Sequence, residues 1–386
     1  MKIAFCTDFY FPQLSGVADS IGITSRQLKK QGHSVRIYTP RVGGVSAQAD
    51  VAYFPARVFP GTQGNFMITL PFGVMDDMRV FNPEVIHTHT SSPVGMFALY
   101  AHHKLHVPLI GTEHSMLAAY LPYVKLDYAL FRFLARKYES WFFNHCTYVT
   151  APGGSILDEL KAHGMKAPAG VISNPIPTDL FRPLANRPNL KQKWGVGKPT
   201  ILLFGRIAVE KNLDFALGVI ADVRRQCDAG VVVIGEGPYR KTLEQKVKEK
   251  GLEGRVQFMG ILRGEELVEA INTADLYLIT SASDTQSLTT LQAMACGLPV
   301  VGANAGGLPE YIQDGVTGFV VDLSERAAFT EHVVRLLQDP KLAVTFGATG
   351  RESVMKFSPE AIAKKFEVVY EQAIHTYENQ PGHTGI

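Results

Sequence analysis

Between Ala274 and Glu310 the sequence changes character several times, and each change has a chemical consequence. A short apolar run, Leu276 to Ile279, ends in a polar turn, Ser281 to Thr285. A helical stretch starts near Ser287 and stops at Gly297-Leu298-Pro299, and a second apolar pair, Val300-Val301, follows. Strand, polar turn and helix start make an anion-binding arrangement, because free N–H groups and the helix dipole point at one spot. A cationic counterpart lies upstream. Gly205-Arg206 follows the apolar run Ile201–Phe204, and Glu210-Lys211 comes four residues later. An Arg and a Lys at a strand end can neutralise a diphosphate leaving group. Taken alone, they read more often as solvated surface charges.

Three further groups could take part. Ile234-Gly235-Glu236-Gly237-Pro238, with Arg240 just after, reads as a strand-to-helix turn in which glycine supplies the backbone angle and proline opens the helix. Its glycines would also let backbone approach a ligand closely. His87-Thr88-His89 and His114 both follow apolar runs. Two strand-end histidines can bind metal, but no third ligand is spaced nearby, so a structural or acceptor-side role is expected for His87 and His89. The segment Lys125–Phe143 places Leu126, Leu130, Phe133, Leu134 and Trp141 at helical spacing, with Lys125, Arg132 and Arg136 on another side. It reads two ways: as a basic, aromatic helix lying in an anionic membrane interface, or as a helix packed on a sheet with its charges solvated.

These residues need a frame that gathers strand ends. Lys2–Thr7, Ser34–Tyr38, Val85–His87, Leu109–Thr112, Tyr148–Ala151 and Val171–Ser173 read as strands, with helical stretches between most of them. The pattern restarts with Thr200–Phe204, Gly230–Ile234, Val256–Met259, Leu276–Ile279, Pro299–Val301 and Gly318–Val321. Such alternation argues for parallel sheets covered on both faces. The chain therefore reads as α/β, with two doubly wound, Rossmann-like units over 1–178 and 199–357, joined by a polar, Pro-rich segment at about 175–198. Ligands of such sheets sit beyond the strand C-termini, here in a cleft expected between facing units. Ser358-Pro359-Glu360 opens a last helix, over 358–378, expected to cross back to the first unit, and Asn379–Ile386 reads as a mobile tail.

Composition narrows the choice. A chain of 386 residues with 46% hydrophobic and 19% charged residues suits two ordinary globular domains. The formal net charge of +2, mildly basic in the first half, suits a phosphorylated ligand or an acidic surface and is too weak for nucleic acid. Cys6, Cys146, Cys227 and Cys296 have no paired spacing, so they read as buried free thiols. The apolar start is broken by Asp8, and no run of about 18 uncharged apolar residues occurs. The expectation is an intracellular chain, soluble or peripheral on the inner face of the cell membrane. No Gly-x-Gly-x-x-Gly follows the first strand, which argues against a nicotinamide-dependent dehydrogenase.

In this order the motifs resemble those of family 4 retaining glycosyltransferases, which have the GT-B fold, and the resemblance covers roughly residues 1–378. Gly-Arg-x-x-x-Glu-Lys is similar to the family's diphosphate-binding signature, so the resemblance implies that Arg206 and Lys211 bind the donor diphosphate. It implies that the turn with Gly235, Gly237 and Pro238 lets a nucleotide rest on it, and that the loop with Ile261 and Leu262 contacts the base. Asp284 and Gln292 stand, at the family spacing, where two glutamates usually touch the donor sugar and the ribose. The Asp keeps the charge on a shorter arm, and the Gln keeps hydrogen-bonding capacity without charge. Ser287, Leu288 and Thr289 would present N–H groups to phosphate. Phe11-Pro12-x-x-Ser15-Gly16-Val17 resembles the family's first loop, where Gly16 would approach the donor phosphate or the acceptor. His114, followed by Ser115 and Tyr120, resembles a segment whose histidine reaches the donor sugar near the reacting carbon. Thr285-Gln286 is similar to the lipid-glycosylating branch, the glycosyl-diacylglycerol synthases.

The resemblance implies transfer of a hexose from a nucleotide diphospho-sugar to an acceptor hydroxyl, with retention by front-face displacement. UDP-glucose and a membrane lipid such as diacylglycerol are the expected pair. Arg206, Lys211 and the helix start near Ser287 would do the work of a metal, since no Asp-x-Asp occurs, and no cofactor is expected. Two alternatives stand beside this: a soluble or polysaccharide acceptor with a UDP-sugar or GDP-mannose donor, and a non-catalytic binding subunit marked by Asp284 and Gln292.

Overall fold

The computed structural model describes residues 1–11, 15–41, 48–58, 67–69, 73–114, 116–118, 121, 128–197 and 199–379. They fall into two units. One comprises Met1–Pro175 with Pro359–Ile386, the other Ile176–Ser358.

In the first unit, strands β1 (Lys2–Cys6), β2 (Ser34–Pro40), β3 (Val51–Phe54), β6 (Val85–Thr88), β7 (Leu109–Thr112), β8 (Tyr148–Ala151) and β9 (Ala169–Val171) form one parallel sheet, ordered β3-β2-β1-β6-β7-β8-β9. Strands β4 (Ala56–Val58) and β5 (Met67–Thr69) pair separately as an antiparallel hairpin. Helices α1 (Gly16–Lys30), α2 (Met75–Phe81), α3 (Pro93–Leu105), α4 (Ala129–Phe143) and α5 (Gly154–Ala162) intervene. The sheet's central strands are buried along nearly their whole length, which is why they read as unbroken apolar runs. The sixth expected strand lies two residues earlier than read. Pairing with β8 ends at Ala151↔Val171, and the chain then enters Asn174-Pro175, where proline has no N–H to donate. The terminal helix Pro359–Glu378 has Pro359 as its first residue and buries Ile362, Ala363, Phe366, Val369, Tyr370, Ala373 and Tyr377 at helical spacing. Its Glu367 meets His33 at 2.6 Å, and its Tyr370 hydroxyl lies 2.7 Å from His87 Nδ1.

The second unit contains α6 (Arg187–Lys193), β10 (Thr200–Phe204), α7 (Leu213–Val223), β11 (Gly230–Ile234), α8 (Arg240–Glu249), β12 (Val256–Gly260), α9 (Gly264–Asn272), β13 (Leu276–Ile279), α10 (Leu288–Ala295), β14 (Val300–Ala303), β15 (Gly318–Val321), α11 (Arg326–Gln338) and α12 (Pro340–Val354). Its parallel sheet is ordered β12-β11-β10-β13-β14-β15. Strand order therefore reverses between β10 and β13, the position where such sheets bind ligands. The two strands pair only at Ile201↔Leu276 and Leu202↔Tyr277, whereas β10 pairs with β11 from Thr200 to Phe204. Past Leu202, β10 and β13 part.

The segment read as a linker is part of this unit. One carboxylate, Asp275, explains why. It accepts from Arg187 Nη2 at 3.2 Å, Lys191 Nζ at 2.7 Å and the Thr200 amide at 2.8 Å. Arg187 Nε also donates to the Asn272 carbonyl at 2.9 Å. A half-buried carboxylate with three donors fixes α6 beside the start of β10. Asp275→Ala is expected to cost about 1–3 kcal/mol, because it leaves charged donors unpaired. A urea titration would measure this, and limited trypsin digestion should cut after Lys191 and Lys193 faster than in the wild type.

Candidate active site

Where β10 and β13 part, the turns that leave neighbouring strands are stitched together by backbone. Gly205, at φ +134°, donates to the Ile234 carbonyl at 3.0 Å, and Ile207 donates to that of Glu236 at 2.9 Å. Gly235 in turn donates to the Gly260 carbonyl at 2.8 Å. A Cβ on Gly235 would stand 1.9 Å from the Gly205 carbonyl oxygen, and one on Gly237 2.2 Å from that of Ile207. The space these glycines leave is filled by the neighbouring turn, so they hold the Gly205-Arg206 turn in place. Pro238 is exposed and lies two residues before α8 starts. Arg240 is occupied: it pairs with Glu236 and Glu244 and lies 4.0 Å over the Phe258 ring. Ile261 is exposed and Leu262 half-buried just beyond β12.

The cations sit on the first of these turns. Arg206 is exposed and has no charge partner among the described residues. Lys211 closes a 3-10 turn, Val209–Lys211, anchored where Thr280 Oγ1 donates to the Lys211 and Asn212 carbonyls. Its ammonium pairs with Asp284 Oδ1 at 2.5 Å. Asp284 is therefore placed on Lys211 itself, a contact that motif spacing did not reveal. Its backbone is also pinned. Its carbonyl accepts from the Gly307 amide at 2.7 Å, and a Cβ on Gly307 would stand 2.0 Å from the Thr285 carbonyl oxygen. Ser287 caps α10, its hydroxyl accepting from the Thr290 amide at 3.3 Å. The amides of Leu288 and Thr289 have no acceptor among the described residues, as expected at an anion-binding helix start. Gln292 is half-buried one turn further along. The structure thus brings Arg206, Lys211, Asp284, Thr289 and the glycine turns together in one unit.

In the first unit, Gly16 is the exposed first residue of α1, and Ser15 caps that helix by accepting from the Ala18 amide at 3.1 Å. The strand-end histidines form a buried column. His87 is fully bonded, to the Tyr370 hydroxyl and, at 2.6 Å, to Thr112 Oγ1. It locks the sheet to the terminal helix. His89 lies against His87, ring centroids 4.1 Å apart, and its Nδ1 meets His114 Nε2 at 3.2 Å. His89 Nε2 and His114 Nδ1 are buried and have no partner among the described residues. Burial pushes His87 down to about 3 and His114 down to about 4, and it lowers His89 well below the usual imidazole value. All three are neutral near pH 7, so His114 offers a hydrogen bond and no charge. Ser115 and Tyr120 lie outside the described residues, as do Pro12 and residues 125–127 of the expected amphipathic helix.

The described part of that helix, α4, exposes Leu130 (63%), Phe133 (51%), Leu134 (50%) and Trp141 (45%). Its cations are less available than the sequence implied. Arg136 pairs with Glu159 at 2.7 Å, and Lys137 donates to the His163 carbonyl. Tyr277 and Thr280 line the same cavity as Arg206, Lys211 and Asp284 and were not flagged in the sequence; Tyr277, inside an apolar strand, reads as core. Among the described residues, no group of three or more His, Cys, Asp or Glu side chains could hold a metal ion, and no helix is long and apolar enough to cross a membrane.

Comparison with known proteins follows the same division. The family model described as glycosyl transferases group 1 matches residues 186–353, and that of glycosyltransferase family 4 matches residues 14–180. The chain is 30% identical over 328 residues to the alpha-monoglucosyldiacylglycerol synthase of Streptococcus pneumoniae, covering 82% of this chain and 74% of that protein. It is 26% identical over 340 residues to a GDP-mannose-dependent alpha-mannosyltransferase of Corynebacterium glutamicum, covering 84% and 77%. Among solved structures, HepE of Anabaena in complex with UDP superposes with a TM-score of 0.77 at 19% identity, covering 96% of this chain and all of that one. At that identity the likeness shows the shared fold, two Rossmann-like units of the GT-B type.

The buried histidines give the first unit a defined response to acid. Between pH 6.5 and about 4 the unfolded chain takes up protons that the folded imidazoles refuse, so stability should fall on acidification. Buried Glu139, pushed up to about 7, and Asp8, raised by burial, act in the opposite sense, each between its ordinary value and its raised one. Three imidazoles outweigh two carboxyls. The urea midpoint of this unit is expected to drop from pH 7 to pH 5, and a midpoint that rises would show that the histidines are charged.

Proposed function

Because this chain belongs to glycosyltransferase family 4 and is a nucleotide-sugar-dependent hexosyltransferase, we propose that it moves glucose from UDP-glucose to a hydroxyl of a membrane lipid such as diacylglycerol, retaining the α configuration. The observation that carries the reading is the convergence of Arg206, the Lys211–Asp284 pair and the α10 start where β10 and β13 part. A diphosphate has the charge and reach to engage all three. Arg206 and Lys211 take its oxygens, and the amides of Leu288 and Thr289 add the helix dipole. Gln292 bonds the ribose hydroxyls, and the Ile261-Leu262 loop meets the base. Asp284 divides its hydrogen bonds between Lys211 and the sugar. As the bond to the anomeric carbon breaks, negative charge grows on the leaving phosphate, and the two cations stabilise it. The leaving oxygen takes the acceptor proton, so no separate base is required. His114, neutral at working pH, gives its open nitrogen to a donor-sugar hydroxyl. With no Asp-x-Asp in the sequence, these groups stand in place of a metal.

Support for a lipid acceptor comes from the similarity to a glucosyldiacylglycerol synthase, from Thr285-Gln286, and from the exposed aromatic face of α4. That face would hold the enzyme on the inner surface of the membrane by apolar insertion. The similarity to a GDP-mannose-dependent enzyme supports a second reading, a mannosyl donor with a soluble or polymeric acceptor.

Calorimetry with UDP, GDP and their glucose, galactose and mannose conjugates separates the donors. Micromolar binding of UDP and UDP-glucose is expected, with Arg206→Ala abolishing it and lowering kcat by on the order of 10²–10³-fold. Binding confined to GDP and GDP-mannose would transfer the assignment to the second reading. Co-sedimentation with phosphatidylglycerol-containing vesicles tests the acceptor. Phe133→Ser with Trp141→Ser should release the protein, while moderate salt should weaken binding only slightly. A protein that stays in the supernatant at every lipid composition would exclude the lipid acceptor.

A further inference from the structure

Tyr277 is the second residue of β13 and is buried. A hydroxyl in the middle of a parallel sheet needs partners, because burying it without them costs several kcal/mol. It has two. It donates to the Phe204 carbonyl at 3.0 Å, and its oxygen lies 2.9 Å from Thr289 Oγ1. Phe204 is the last residue of β10, directly before Gly205-Arg206, and Thr289 is the second residue of α10. Since the β10–β13 ladder ends at Leu202↔Tyr277, the Phe204 carbonyl has no strand partner on that side. The phenol spans the opening.

The hydrogen bonds run in one direction. Tyr277 gives its hydrogen to the Phe204 carbonyl and accepts from Thr289. Thr289 accepts from Ser287, 3.1 Å away, and Ser287 accepts from the Thr290 amide. Each hydroxyl gives one bond and takes one, so the chain has a single consistent polarity. It joins the turn bearing Arg206 to the first turn of α10. The Thr289 methyl also faces that turn, 3.6 Å from where a Gly205 Cβ would lie.

We propose that Tyr277 is a positioning residue: it fixes the distance between the Gly205-Arg206 turn and the α10 N-terminus, and thereby selects a diphosphate, which both can grip at once, over a monophosphate. The inference rests on the donor-site reading above. Tyr277 touches no ligand; it acts through the Phe204 carbonyl and Thr289. The Lys211–Asp284 pair and the Thr280 bonds to the Lys211 and Asn212 carbonyls also cross between the segments that leave β10 and β13, but they lie beyond Arg206 and before α10; among the described residues the direct link from the Gly205-Arg206 turn to Thr289 runs through the Tyr277 oxygen.

The test compares UDP with UMP on the full chain. Tyr277→Phe keeps the ring and removes the hydroxyl. It should lower the preference for UDP over UMP by on the order of tenfold while UMP affinity stays as in the wild type. Thr289→Val, which breaks the same link from the helix side, should do likewise, and Thr289→Ser should restore the preference. If Tyr277→Phe does not fold, the Thr289 pair carries the comparison alone. Equal losses for UDP and UMP would reduce Tyr277 to a packing residue and overturn the proposal, as would unchanged affinities. GDP with GMP serves if the wild type prefers guanine. A wild type that binds neither diphosphate more tightly than its monophosphate refutes the donor-site reading itself, a result distinct from an unresponsive Tyr277→Phe.

Discussion

Where β10 and β13 separate beyond Leu202 and Tyr277, backbone groups that a continuous ladder would pair must find other partners, and how they do so shapes the second unit. Crossover connections in parallel sheets are right-handed, so connections built outward from β10 in opposite directions leave on opposite faces and cannot close over the gap. What fills the edges is polar: a tyrosine hydroxyl, a helix N-terminus, and turns bonded carbonyl to amide from Gly205 through Gly235 to Gly260. A region that folding could not make apolar becomes the place where an anion is welcome. Glycine is needed because two backbones lie closer there than any side chain allows.

The two units handle polar chemistry by opposite electrostatic means. In the second, charge is retained and kept near water: Arg206 is exposed, and Lys211 with Asp284 is partly so. In the first, the histidine column is buried deeply enough to lose its charge, and His89 and His114 each keep one nitrogen without a partner among the described residues. Retained cations suit an anion, whereas an uncharged imidazole offers a directional bond without attracting counter-ions, so the two sheets supply environments of different kinds.

Much of this was legible in the sequence, for physical reasons. All six strands of the second sheet were readable, because strands buried on both faces must be apolar throughout and their exits are marked by glycine or polar turns. Strand β3 and the β4–β5 hairpin were not, since edge strands of three or four residues carry no such run. Ser287 could be read from its place at a helix start, and Arg206 and Lys211 from theirs after a strand together with the family resemblance, which alone pointed to Asp284. What the sequence concealed were relations across distance. The pairing of Asp284 with Lys211 spans 73 positions, the anchoring of α6 by Asp275 turned an apparent linker into structure, and Arg136 lost its apparent freedom to Glu159. Tyr277 was hidden for another reason. Its ring satisfies the apolar pattern, and only the folded sheet shows where its oxygen points.

The bond between His87 and Tyr370 joins residues 283 positions apart, and the whole second unit lies between them in the chain. Synthesis on the ribosome therefore delivers the parts in an awkward order. The first sheet emerges early but must wait, its central histidine short of a partner, until the terminal helix is made. The second unit is continuous in sequence and can fold in the interval as its residues appear. Loss of the last two dozen residues would thus harm the end of the protein made first, and a quality-control protease would meet such a truncated chain at its N-terminal half.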